Sequence, residues 1–165
     1  AKALGAKVIG TVGSDEKAAL AKAHGCDHAI VYTREKFAER VKELTVGEGV
    51  AAVYDSIGKD TFMDSLACLR PMGMMALFGA ASGPVPPFDL GLLAKMGALF
   101  ITRPTLFVYT AKRSDLVQTA DELFGMVTSG KVKIEVNQRY ALKDAAKAQA
   151  DLEARKTTGS IILLP

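Results

Sequence analysis

Two rhythms of apolar and polar positions alternate along this chain. Residues 8–12 (VIGTV) are uncharged and mostly β-branched, a continuous run suited to a strand covered on both faces. Residues 15–24 then place Ala18, Ala19, Leu20 and Ala23 at helical spacing and stop at Gly25. A second strand spans 29–32. A helix capped by Thr33 follows, with Phe37, Val41 and Leu44 at i, i+4 and i+7, closed by Gly47 and Gly49. Residues 50–54 read as a third strand ending in the turn Asp55-Ser56-Ile57-Gly58, and a helix over 59–69 turns Phe62, Leu66 and Leu69 inward. Strand 74–78, a Gly/Pro loop at 79–88, a short helix at 89–96 and strand 98–106 come next. The chain closes with helix 114–129, carrying Leu116, Ala120, Leu123, Phe124 and Val127 on one side, then strand 134–140, helix 142–155 and strand 160–164. Strand and helix alternating at this spacing predict an α/β fold, a doubly wound parallel sheet with right-handed crossovers. Ligands of such sheets sit beyond the carboxyl ends of the strands, which here are Gly13-Ser14, Tyr32, Asp55-Ser56 and Phe78-Gly79.

The stretch at 8–17 (VIGTVGSDEK) carries the most chemistry. Gly13 lets the backbone turn sharply, and the Ser14 hydroxyl can cap the next helix by accepting from an N–H of its first turn. Lys17 adds an ammonium three residues on. Free N–H groups, a hydroxyl and an ammonium around one point suit a phosphate. Each residue also has a plain structural role, as cap, solvated lysine or strand end, and it is their convergence that favours a ligand.

Composition narrows the function classes. At 165 residues with 49% hydrophobic content the chain can bury a real core. Its 21 basic and 18 acidic residues are interspersed, and no aromatic residues interleave with a basic stripe, which argues against nucleic acid. The apolar run 72–82 is too short to span a bilayer. Cys26 and Cys68 have no paired spacing and read as free thiols of a reducing compartment, the cytoplasm. His24, Cys26 and His28 lie close in sequence, but they would diverge across a helix-to-strand junction, so no metal site is expected. Tyr32 and Lys36 show a Tyr-x-x-x-Lys spacing, yet Tyr32 precedes the helix and the two do not share its face. The opening residues 1–7 look like a helix end without a start, as in a piece of a longer protein.

GTVGSDEK, a strand ending in Tyr32, VYDSIG, a Met-Gly turn leading into Phe-Gly, ITRPTL and LEARKTTGSIILLP together resemble the medium-chain dehydrogenase/reductase superfamily. Within it the chain is most similar to the NADPH:quinone oxidoreductases related to zeta-crystallin. The resemblance implies that Gly13, Ser14, Lys17, Tyr32 and Arg155 receive the adenosine 2′-phosphate of NADPH. It implies also that Phe78 and Gly79 lie along the nicotinamide side, with Arg103 at a further cofactor-side position. A carboxylate ending the second strand, as an NADH enzyme needs, is not found at Gly13-Ser14.

The same resemblance implies a Rossmann-like sheet that lacks its first strand and Gly-rich loop, with a gap between the strands at Val8 and Val53. Residues 1–130 would form the nucleotide-binding domain, and 131–165 a strand-helix-strand returning to a catalytic domain. The expected reaction of the intact protein is hydride transfer to a quinone or conjugated enone without zinc, in a homodimer joined through the edge strand 98–105. The piece alone is expected to be inactive, and no residue in it has the arrangement of a catalytic acid or base. An enoyl reductase module and a non-catalytic, crystallin-like NADPH-binding protein are the alternatives. A methyltransferase would want an acidic residue where Gly13-Ser14 stands.

Overall fold

In the computed structural model, which describes residues 1–165, β1 (Ile9–Val12) runs parallel to β2 (His28–Val31), with Ile9 opposite His28 and Val12 opposite Val31. Parallel partners need a crossover, and α1 (Asp15–Ala23) supplies it. Ser14 caps this helix as expected: its backbone is extended at φ −155° and its Oγ accepts from the Lys17 N–H at 3.3 Å. The next helix starts later than Thr33 suggests. α2 (Phe37–Leu44) has Lys36 at its N-cap, with no side-chain bond there, and the Thr33 hydroxyl instead donates to the Gly13 carbonyl at 3.3 Å.

A second sheet has the order β3 (Val50–Asp55), β4 (Leu69–Leu77), β5 (Phe100–Thr102), all parallel. α3 (Phe62–Ala67) and α4 (Gly91–Lys95) lie between successive strands of it. β5 is shorter than the predicted 98–106. Pro104 lacks an N–H and cannot continue a ladder, and residues Leu106–Tyr109 form a helical turn, α5. Likewise the predicted helix 59–69 contracts to α3. Its inward residues keep their roles: Phe62, Leu66 and Leu69 are buried with Met75 and Leu99, and the Phe88 ring packs 4.9 Å from that of Phe62.

Instead of one continuous sheet there are separate ones. β1 pairs only with β2, and β3 pairs only with β4. Their inner edges nevertheless rest on one cluster, because Ile9 of β1 and Val50 and Val53 of β3 all pack against buried Ile30, Val41 and Cys68.

These elements make up the first of two compact units, Ala1–Lys112. The second, Arg113–Pro165, holds α6 (Arg113–Thr128), β6 (Val136–Ala141), α7 (Ala145–Glu153) and β7 (Ser160–Leu164), with β6 and β7 parallel. Inside it Tyr140 donates its hydroxyl to Asp151 Oδ2 at 3.0 Å, and Ala148 of α7 is buried. Leu116, Leu123 and Phe124 of α6 are exposed. No helix is long and apolar enough to cross a membrane.

Candidate functional site

Four of the residues singled out in the sequence meet at the ends of β1 and β2. Gly13 and Ser14 follow β1, and Lys17 lies in the first turns of α1. Tyr32 follows β2 directly and still donates its N–H to the Val12 carbonyl at 3.0 Å. The Tyr32 hydroxyl lies so close to Gly13 that a Cβ there would stand 3.1 Å from it. That contact, and the Thr33 bond to Gly13, tie the two turns together. A helix N-terminus leaves N–H groups without an intrahelical partner and carries partial positive charge. With the Ser14 hydroxyl at this end and Lys17 in the same first turn, residues of this kind suit a phosphate.

Asp15 also lies in this turn, where it is gripped by Arg34: Nη1 donates to Oδ2 at 2.6 Å and Nη2 to Oδ1 at 2.5 Å. Those bonds hold the Asp15 carboxyl below the usual carboxylate range. Sequence reasoning did not find this pair, since nothing in the spacing of residues 15 and 34 links two turns on different strands.

A second pair of strand ends is held by Asp55. Its side chain is buried at the end of β3 and accepts four bonds. Oδ1 takes the Ile57 and Gly58 N–H groups at 2.7 and 3.0 Å, and Oδ2 takes the Thr61 and Ser65 hydroxyls at 2.7 Å each. Burial pushes its pKa up, but the bonds from Ser65, Thr61, Gly58 and Ile57 outweigh that and keep it below the ordinary value. The signal for this role was present in the sequence, because Thr61 and Ser65 are four apart and share a helix face. Gly79, after β4, lies directly against Ser56, while Phe78 beside it is half exposed.

Arg103 follows β5, exposed, with Nη1 donating to the Pro104 carbonyl at 3.4 Å. Arg155 follows α7 in the second unit, at φ +57°. The Cys26 thiol donates to the His28 carbonyl at 3.0 Å. No three His, Cys, Asp or Glu side chains gather where they could hold a metal ion. Burial pushes the Cys68 thiol up to about 11, and the thiolate is the nucleophile. Cys68 therefore stays unmodified by a thiol reagent at pH 8 until the protein unfolds, whereas half-buried Cys26 reacts. Mass spectrometry of the partly labelled protein checks which thiol is modified.

Parallel strands alternating with helices define an α/β protein. The chain belongs to the zinc-binding dehydrogenase family, whose profile matches residues 1–125. The zinc of that description finds no ligand set in this chain. A quinone oxidoreductase of Pseudomonas aeruginosa is 52% identical over 165 residues, covering all of this chain and 51% of that protein. A 2-haloacrylate reductase of Burkholderia sp. is 48% identical, covering all of this chain and 50% of that one. Among solved structures, the Escherichia coli quinone oxidoreductase complexed with NADPH matches with a TM-score of 0.95 at 46% identity, over 99% of this chain and 51% of that one. The chain spans about half the length of the curated relatives it matches. The resemblance to the quinone oxidoreductases is thus borne out.

Proposed function

We propose that this chain is the cofactor-binding portion of an NADPH-dependent quinone oxidoreductase. The observation that carries this reading is the Gly13–Ser14–Lys17 turn seated against Tyr32, in a chain 46% identical to a relative solved with NADPH. Ser14, Lys17 and Tyr32 hold the 2′-phosphate, and Phe78, Gly79 and Arg103 line the cofactor's other end. NADPH, when bound, supplies a hydride to a quinone or a conjugated enone. The residues of this chain bind and orient it. The 2-haloacrylate reductase among the relatives supports an activated, conjugated double bond as an acceptor class.

Two further parts of the reading concern architecture. The sheets β1-β2 and β3-β4-β5 are taken as the two sides of one Rossmann sheet, whose first strand and Gly-rich loop enter between β1 and β3. Support comes from the shared cluster beneath both inner edges. The dimer forms through the 98–105 edge, since β5 is the outer strand of its sheet and Phe100 is exposed. Free thiols at Cys26 and Cys68 suit work in the cytoplasm.

Titration of the full-length protein with NADPH and with NADH tests the cofactor assignment. A preference for NADPH of at least about tenfold is expected, equivalent to about 1.4 kcal/mol. Lys17→Glu should abolish it by placing a carboxylate beside the phosphate. Equal affinities in the unmodified protein would overturn the reading.

A further inference from the structure

One ion pair on this turn is not used by the cofactor reading. Arg34, in the turn after β2, and Asp15, in the first turn of α1, meet through the two parallel bonds described above. Their backbones belong to the two turns that bear Ser14, Lys17 and Tyr32, which the Thr33 bond to Gly13 joins. Two neighbouring charges are engaged by other partners as well. Glu35 accepts from the Val31 N–H and pairs with Arg40, and Lys36 pairs with Glu39. As a stabilising device the Arg34–Asp15 pair is poor, because its side chains are 56% and 73% exposed and exposed ion pairs contribute little.

The geometry has more to say about a ligand than about stability. A carboxylate in the first turn of a helix occupies ground that also attracts phosphates. A guanidinium fork matches a carboxylate and a phosphate with the same two parallel bonds, which an ammonium cannot do. Left unpaired, Asp15 would repel a phosphate next to Ser14, yet this chain keeps it there with an arginine across it.

We infer that Arg34 sets the choice of NADPH over NADH: Asp15 holds its guanidinium while the site lacks cofactor, and Arg34 turns to the 2′-phosphate when NADPH binds. This rests on the reading of the Gly13–Lys17 turn as the 2′-phosphate site. Asp15 is then a stand-in anion that keeps the fork aimed at the turn. NADH has no 2′-phosphate, so it leaves the pair closed.

The two residues act on affinity with opposite signs, and that is the test. Dissociation constants for NADPH and NADH are measured on the full-length protein and on Arg34→Ala, Asp15→Asn, the double variant and Arg34→Lys. Arg34→Ala weakens NADPH about fivefold, near the upper end for one exposed charge, and leaves NADH within about twofold. Asp15→Asn tightens NADPH, since the fork no longer has to leave a carboxylate. The double variant falls between them, and Arg34→Lys recovers part of the loss. Raising the salt concentration shrinks every one of these differences.

NADH serves as the control for misfolding, because a merely structural role for the pair would move both cofactors together. Equal weakening of both, or an unchanged NADPH:NADH ratio in Arg34→Ala and Asp15→Asn, overturns the inference. If Lys17→Glu still abolishes the preference in that case, the phosphate site stands and only Arg34's part in it falls.

Discussion

Asp55→Ala lowers the stability of the protein by about 3 kcal/mol or more, because it strips four donors of their shared acceptor inside a buried turn. The Thr61 and Ser65 hydroxyls and the Ile57 and Gly58 N–H groups have been arranged around one carboxylate, and alanine offers none of them a partner. Asp55→Asn should cost much less. An amide oxygen can still accept from Ile57 and Gly58, while the amide NH₂ can donate to the two hydroxyls, which accept as well as donate. The carboxylate also carries a pH signature. Its pKa is depressed in the folded state, so its stabilisation is fully present above the unfolded carboxylate value, about 4. It is lost as the pH falls below that and through the lower folded value. Urea unfolding between pH 3 and 7 is the measurement. The unmodified protein should lose more stability on acidification than Asp55→Asn does. An Asp55→Ala protein within 1 kcal/mol of the parent would show that water replaces the carboxylate and that the turn does not depend on it.

What the sequence disclosed and what it concealed divide along a physical line. Ser14 could be read as a cap because capping is a local event, settled by a hydroxyl and the N–H three residues on. Val41, Leu66 and their partners could be read as core because helical spacing puts them on one face. Thr33 could not. Its hydroxyl suits a cap equally well, but the nearer carbonyl of Gly13 belongs to another strand's turn, and only the folded chain brings it there. Arg34 and Asp15 are hidden for the same reason. The division of the strands among separate sheets was not legible from the strands themselves, since each strand taken alone reads as well within one sheet as within several. The shortness of β5 was legible in principle at Pro104, although the apolar residues beyond it disguised a helical turn as more strand.

Gly79→Ala should be as damaging as the loss of Asp55, and for a reason that concerns space rather than charge. A Cβ at Gly79 would stand 2.3 Å from the Ser56 carbonyl oxygen and 2.8 Å from its Cα. These are backbone atoms and cannot rotate away, so the turns after β3 and β4 must part. Parting them breaks the bonds that join them, from the Phe78 N–H to the Asp55 carbonyl at 2.9 Å and from the Ala81 N–H to the Ser56 carbonyl at 3.1 Å. Overpacking of this kind costs about 1–3 kcal/mol, and rigid backbone on the far side puts Gly79 at the upper end. Gly125 is the matching control, because it lies within α6 with nothing within 4 Å of an added Cβ. There alanine should stabilise the protein by about 0.5–1 kcal/mol, the ordinary helical penalty of glycine relieved. Thermal unfolding of the two variants side by side separates close approach from backbone freedom. If Gly79→Ala melts with the parent, the two turns are looser than their contact implies, and the loop after β4 can move away from β3 without unfolding it. If it melts far below while Gly125→Ala rises, Gly79 is where the ends of β3 and β4 are locked together, and the half-exposed Phe78 beside it is held in place by that lock.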